Sequence, residues 1–110
     1  MKFFIDTANI DEIRDAADLG ILDGVTTNPS LVARENRPLY DLLAEICEIV
    51  DGPVSAEVAA TAFEDMVAEG LRLSEIHENI AVKLPITRDG LKACVELAER
   101  NIMVLSLIHI

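Results

Sequence analysis

Tryptophan is missing from this 110-residue chain, one Tyr and three Phe are its only aromatics, and Gly (5) and Pro (4) are sparse. An apolar share of 51% and the low Gly and Pro content argue against disorder and fit one ordinary globular α/β domain. Basic residues are also short, nine Lys and Arg against twenty Asp and Glu, so the net charge is −11. Such a balance excludes nucleic acid and anionic membrane surfaces as natural partners and leaves room for a locally basic site. There is no signal peptide and no apolar run long enough to span a membrane, which points to the cytoplasm. The two cysteines, Cys47 and Cys94, lie in amphipathic helical patterns without metal-ligand spacing. They are expected to be reduced and packed in the core. Phosphate-binding loops of the form G-x-G-x-x-G or G-x-x-x-x-G-K do not occur.

What is present is a lysine inside an apolar strand that ends at a proline, Asn79-Ile80-Ala81-Val82-Lys83-Leu84-Pro85. Alternation sends Val82 and Leu84 to one side and Ala81, Lys83 and Pro85 to the other. Taken alone, the segment suits a lysine at a strand end with its stem on apolar surface and its head in water. It equally suits an amine withdrawn from water, and a neutral amine is the form that adds to a carbonyl to make a Schiff base.

The rest of the chain repeats one unit. Phe3-Phe4-Ile5 reads as a strand stopping at Asp6, and Asn9 with Glu12 opens a helix carrying Ile10, Ile13, Ala16 and Ala17 up to Gly20. Gly24 to Pro29 reads as a second strand, followed by a helix with Leu39, Leu42, Leu43, Ile46 and Val50 in phase. Val54 to Val58 is a third strand, and Thr61 through Leu73 its helix. The lysine strand is fourth, Thr87 caps a helix bearing Leu91, Cys94, Val95 and Ala98, and Ile102-Met103-Val104 opens a fifth strand. Strict alternation implies a parallel sheet with right-handed crossovers, as an open doubly wound sheet or a closed barrel. The polar residues favour the barrel. Asp6, Thr26, Asn28, Glu57 and Lys83 lie at C-terminal strand ends with one parity, which gathers them at a barrel mouth. Solvated loop charges are the plainer alternative, but buried carboxylates and an ammonium require partners.

A lysine with two carboxylates, Thr and Asn suits Schiff-base chemistry on a ketone. One carboxylate moves protons as the carbinolamine dehydrates, and the other takes the proton whose loss breaks a carbon–carbon bond. Thr26 and Asn28 would hold substrate hydroxyls.

The literal strings are more specific than the spacing. Phe4-Ile5-Asp6-Thr7-Ala8-Asn9, Gly24-Val25-Thr26-Thr27-Asn28-Pro29-Ser30-Leu31, Ser55-Ala56-Glu57-Val58 and Val82-Lys83-Leu84-Pro85, with Thr87 and Gly90-Leu91-Lys92-Ala93, closely resemble the small transaldolase family, which also contains fructose-6-phosphate aldolases. The resemblance runs from Met1 to about Val104. It implies an α/β fold, the N-terminal half of a (β/α)8 TIM barrel, with about four βα units plus the start of strand five. It further implies Lys83 as the Schiff-base lysine, Asp6 and Glu57 as acid/base carboxylates, and Thr26 and Asn28 as the substrate-positioning pair. Glu at position 57, where the aldolase branch carries Gln, favours transaldolase. The implied reaction is a pentose phosphate pathway step of carbohydrate metabolism. It transfers a dihydroxyacetone unit from sedoheptulose 7-phosphate to glyceraldehyde 3-phosphate, with sugar phosphates as the partners, no cofactor or metal, and a homo-oligomer at full length. The alternatives are a fructose-6-phosphate aldolase and an inactive, self-associating barrel fragment.

After Val104 the resemblance would continue with Asn-x-Thr, whereas the chain reads Leu105-Ser106-Leu107-Ile108-His109-Ile110. Those six residues also read as the translation of a transposase sequencing adapter, so residues 1–104 are expected to be a partial transaldolase-type barrel and 105–110 read-through outside the fold. A complete barrel takes roughly 200 or more residues, and its later strands usually bind phosphate, so this chain alone is expected to be inactive. Arg34, Arg37 and Arg88 read as solvated, His77 as a surface residue, Tyr40 and Phe63 as packing residues, and Asp11, Glu12, Asp15 and Asp18 as solvated helix faces.

Overall fold

The computed structural model describes residues 1–107. Strands β1 (Phe4–Asp6), β2 (Gly24–Thr26), β3 (Val54–Glu57), β4 (Ile80–Pro85) and β5 (Val104–Leu107) alternate with helices α1 (Ile10–Asp18), α2 (Pro29–Ala33), α3 (Leu39–Ile49), α4 (Phe63–Ser74) and α5 (Arg88–Glu99). The strands form one parallel sheet in the order β1-β2-β3-β4-β5. Parallel neighbours cannot be joined by a tight turn, so each pair is linked by a helical crossover. An order without reversal is unlike a doubly wound sheet, which turns back at a switch point.

The two sheet faces differ in cover. Val25, Val54, Ala56, Ile80, Val82 and Leu84 share a parity and are buried in the core with Ile13, Leu42, Leu43, Ile46, Met66, Leu73 and Leu97 from the helices. The opposite parity carries Phe4, Asp6, Thr26, Ser55, Glu57, Ala81, Lys83 and Leu105. On that face Phe4 and Leu105 are exposed, whereas Ser55, Ala81 and Lys83 are buried. All five polar candidates therefore belong to this partly covered face or to the strand exits.

The helix signals act as the sequence suggests. Asn9 Oδ1 accepts from the Glu12 amide at 3.0 Å, and Thr87 Oγ1 accepts from the Gly90 amide at 3.0 Å. Helix α1 gives way to Gly20, whose φ of +77° favours a residue without Cβ. Gly90 has a different reason. A Cβ there would lie 1.9 Å from the Pro85 carbonyl oxygen, so only glycine lets the first turn of α5 close over the end of β4.

Several boundaries and burials differ from the sequence reading. β2 stops at Thr26, because Asn28 and Pro29 begin a short helix instead of ending a strand. Asn28 is its N-cap and Pro29 fills the first turn, where a missing N–H costs nothing. The fifth strand starts at Val104, and Leu105, Ser106 and Leu107 continue it in register with Lys83, Leu84 and Pro85. Those three residues were expected outside the fold; Ile108, His109 and Ile110 lie beyond the described residues. Cys47 is buried, but Cys94 is only half-buried, with its Sγ 3.4 Å from Ser106 Oγ. Tyr40 is 45% exposed near the start of α3, so it does not pack in the core. Phe63 does pack against the core, with Lys92 over it, Nζ 4.6 Å from the ring centre. Arg37 is not simply solvated, since it pairs with Glu45, which also meets Arg14 at 3.4 Å.

Candidate active site

Lys83 sits in the middle of the sheet's longest strand, with side-chain exposure of only 10%. Its neighbour across the β3–β4 register is Glu57, and the two side chains meet with Nζ 3.7 Å from Oε1. Parallel pairing aligns residues of equal parity, so an acid on one strand end and a lysine on the next face each other without a loop to place them. Glu57 Oε1 is buried and has no hydrogen-bond donor among the described residues, which leaves the lysine charge as its compensation. A buried carboxylate oxygen in that condition is a ready acceptor for a proton or a substrate hydroxyl.

The ammonium's direct hydrogen bond goes to the Thr27 carbonyl oxygen, at 3.2 Å. Thr27 and Ser55, buried to 1% and 2% exposure, are tied to each other as well. The Thr27 amide donates to Ser55 Oγ at 2.9 Å, and Thr27 Oγ1 donates to the Ser55 carbonyl at 2.6 Å. Neither residue is among the candidates that the sequence singles out. A signal was available: Ser55 is a polar residue at an inward position two before Glu57, and a buried hydroxyl needs a partner.

Asp6 and Thr26 make a second linked pair on β1 and β2. They are register partners, and Thr26 Oγ1 donates to Asp6 Oδ1 at 3.0 Å. Asp6 is exposed and Thr26 half-buried, so this carboxylate is open to solvent while Glu57, at 13% side-chain exposure, is largely withdrawn from it. Asn28 is at the exit of β2, with Oδ1 accepting from the Leu31 amide at 2.9 Å. Its carbonyl oxygen thus caps α2, and its amide nitrogen is the group left for a ligand.

Behind Glu57 the chain is anchored by Glu69 of α4, whose carboxylate accepts from the amides of Ala59 at 2.7 Å and Ala60 at 3.0 Å. Glu57 stands between two clefts. One of about 530 Å³ is bounded by Glu57, Ala59, Thr61, Pro85, Arg88 and Asp89. The other, about 220 Å³, is bounded by Thr27, Asn28, Pro29, Leu39 and Glu57. Among the described residues no group of three or more His, Cys, Asp or Glu is placed to hold a metal ion. No helix among them is long and apolar enough to cross a membrane.

Comparison with known proteins fits this geometry. The family model described as transaldolase/fructose-6-phosphate aldolase matches residues 3–106. The chain belongs to that family. A "probable transaldolase" of Rhodospirillum centenum is 62% identical over 104 residues, 94% of this chain and 45% of the relative. Proteins of the same name from Thermodesulfovibrio yellowstonii and Desulfotalea psychrophila are 57% and 59% identical over 102 residues, 93% of this chain and 48% of each relative. The chain thus spans about half the length of these transaldolase-family relatives. The matched stretch contains the strand ends that carry Asp6, Thr26, Asn28 and Glu57 and the strand that carries Lys83.

Proposed function

We propose that this chain carries the Schiff-base half of a transaldolase active site, built on the first strands of a (β/α)8 barrel. One observation carries the reading: a lysine buried in a parallel strand, with Nζ 3.7 Å from the buried Oε1 of a half-buried carboxylate on the neighbouring strand. In this reading Lys83 adds to the ketone carbon of a sugar phosphate. Glu57 carries protons as the carbinolamine loses water to leave a protonated imine. Asp6 takes the proton of the hydroxyl next to the scissile bond, and the bond's electrons flow into the imine to give an enamine as the aldehyde leaves. The enamine then attacks an acceptor aldehyde, Asp6 returns the proton, and water releases the product ketose. Thr26 and the Asn28 amide hold hydroxyls of the dihydroxyacetone unit.

The donor and acceptor of the reading are sedoheptulose 7-phosphate and glyceraldehyde 3-phosphate. Glu57 supports transfer over simple release, since an ionisable group can carry protons in both halves of the reaction. The phosphate contacts would come from the part of the relatives' length that this chain does not span.

Free dihydroxyacetone has no phosphate and tests the lysine directly. Incubation with dihydroxyacetone and borohydride is expected to add one reduced unit at Lys83, seen by peptide mass spectrometry and lost in Lys83→Arg. Equal modification of Lys2, Lys83 and Lys92, unchanged in Lys83→Arg, would overturn the proposal.

A further inference from the structure

The way β2 meets β3 has a cause and a use. Their regular pairing is at Val25↔Val54, with the Val25 amide donating to the Pro53 carbonyl at 2.9 Å. Continued by two residues, a parallel ladder would run the Thr27 amide to the Ser55 carbonyl and give the Thr27 carbonyl to the Glu57 amide. Side chains replace that ladder here. The Thr27 amide goes to Ser55 Oγ and the Ser55 carbonyl takes Thr27 Oγ1. The Thr27 carbonyl accepts from Lys83 Nζ at 3.2 Å and more distantly from Ser55 Oγ at 3.4 Å. A serine hydroxyl set between the strands thus interrupts the ladder at the residue whose carbonyl the lysine uses.

We propose that the crossed Thr27–Ser55 hydrogen bonds are the positioning device for Lys83: Ser55 holds the strands in an interrupted register so that the Thr27 carbonyl fixes the amine beside Glu57. The proposal rests on the reading of Lys83 as the reacting amine. Ser55 and Thr27 act through the lysine and are positioning residues. A lysine side chain has four rotatable carbons, and an amine two strands away from its anchor would otherwise sample many rotamers. A fixed carbonyl on the far side of Glu57's strand removes that freedom, which is the orientational advantage that an adding nucleophile requires.

Three variants of the chain separate this role from strand pairing: Ser55→Ala removes the hydroxyl, Ser55→Thr keeps it, and Thr27→Val keeps the shape while removing the bond to the Ser55 carbonyl. Two quantities are read on each, with folding checked by cooperative thermal unfolding. The first is dihydroxyacetone trapping at Lys83 as a function of concentration. The second is reductive methylation of Lys83 by formaldehyde, relative to Lys92, which needs no substrate. Ser55→Ala is expected to lower the saturating trapping rate roughly tenfold at unchanged half-saturation. It is also expected to raise the relative methylation of Lys83, as the amine leaves its anchor. Ser55→Thr is expected to restore both readouts. Folded Ser55→Ala with unchanged Lys83 trapping and methylation overturns the proposal, as does folded Ser55→Thr that behaves like Ser55→Ala. If Ser55→Ala does not fold, Thr27→Val decides by the same readouts, with a shift in both expected and no shift overturning. If the parent chain is not trapped at all, the Schiff-base reading fails, and methylation still decides whether the crossed bonds hold the lysine.

Discussion

Cys47 and Lys83 are both buried, and they differ in what stands at the head of the side chain. Burial pushes the Cys47 thiol from its ordinary 9.0 up to about 11, so it stays protonated through the neutral range and is inert. Lys83 instead has a carboxylate and a carbonyl at its head. At pH 8 a thiol reagent is expected to titrate Cys94 in the folded chain and Cys47 only after denaturation, which absorbance at increasing denaturant checks. The sign of the linkage follows from the raised value. The unfolded thiol ionises from about pH 9 while the folded one does not, so the stability it contributes is complete below 9.0 and lost as pH rises towards about 11. Replacing Cys47 by Val is expected to flatten that loss in thermal unfolding between pH 8.5 and about 10.5. At this scale parity was enough to place Lys83, Glu57, Asp6 and Thr26 on one face of the sheet. It did not single out Thr27, because its contribution to the lysine is a backbone carbonyl, which any residue possesses.

At the level of elements, the strands and long helices were legible because apolar period and caps agree, as at Asn9 and Thr87. The short helix α2 was not, since Asn-Pro reads both as a strand stop and as a cap followed by a first turn. That ambiguity matters for the site: Asn28, expected to hold substrate hydroxyls, has its side-chain oxygen committed to the Leu31 amide. The junction of β4 and α5 has no such slack. Gly90→Ala puts a Cβ 1.9 Å from the Pro85 carbonyl, against backbone that cannot step aside without moving the strand end two residues beyond Lys83. The expected cost is about 1–3 kcal/mol of stability. Thermal unfolding of Gly90→Ala checks it, and a midpoint equal to the parent's contradicts it.

For the whole molecule, the sequential parallel sheet leaves one face only partly covered, and Phe4, Met103 and Leu105, exposed by 40–47%, are the apolar residues left open on it. β1 and β5 each have one unpaired edge within the described residues. The family relatives extend to about twice this length, and in the proposed barrel their further strands pair with those edges and close that face. The 110-residue chain alone is expected to associate despite a net charge of −11, eluting ahead of a monomer in size-exclusion chromatography with a concentration-dependent position. Met103→Glu is expected to shift it towards the monomer. A sharp, concentration-independent monomer peak for the parent contradicts this account of the open face. The parallel order was legible from strict strand and helix alternation, whereas the extent of β5 was not, because residues after Val104 depart from the resemblance while remaining apolar enough to pair.

If Lys83 and Glu57 work as one unit, the rate at which dihydroxyacetone is trapped at Lys83 differs between the parent chain and Glu57→Gln. Gln keeps the shape and the strand register but cannot carry a proton. A fall of roughly 10²-fold in the saturating rate, with unfolding behaviour preserved, is the result predicted for a carboxylate that moves protons to and from the carbinolamine. Equal rates in the two chains would contradict it, leaving Glu57 as a structural counter-charge to a buried lysine.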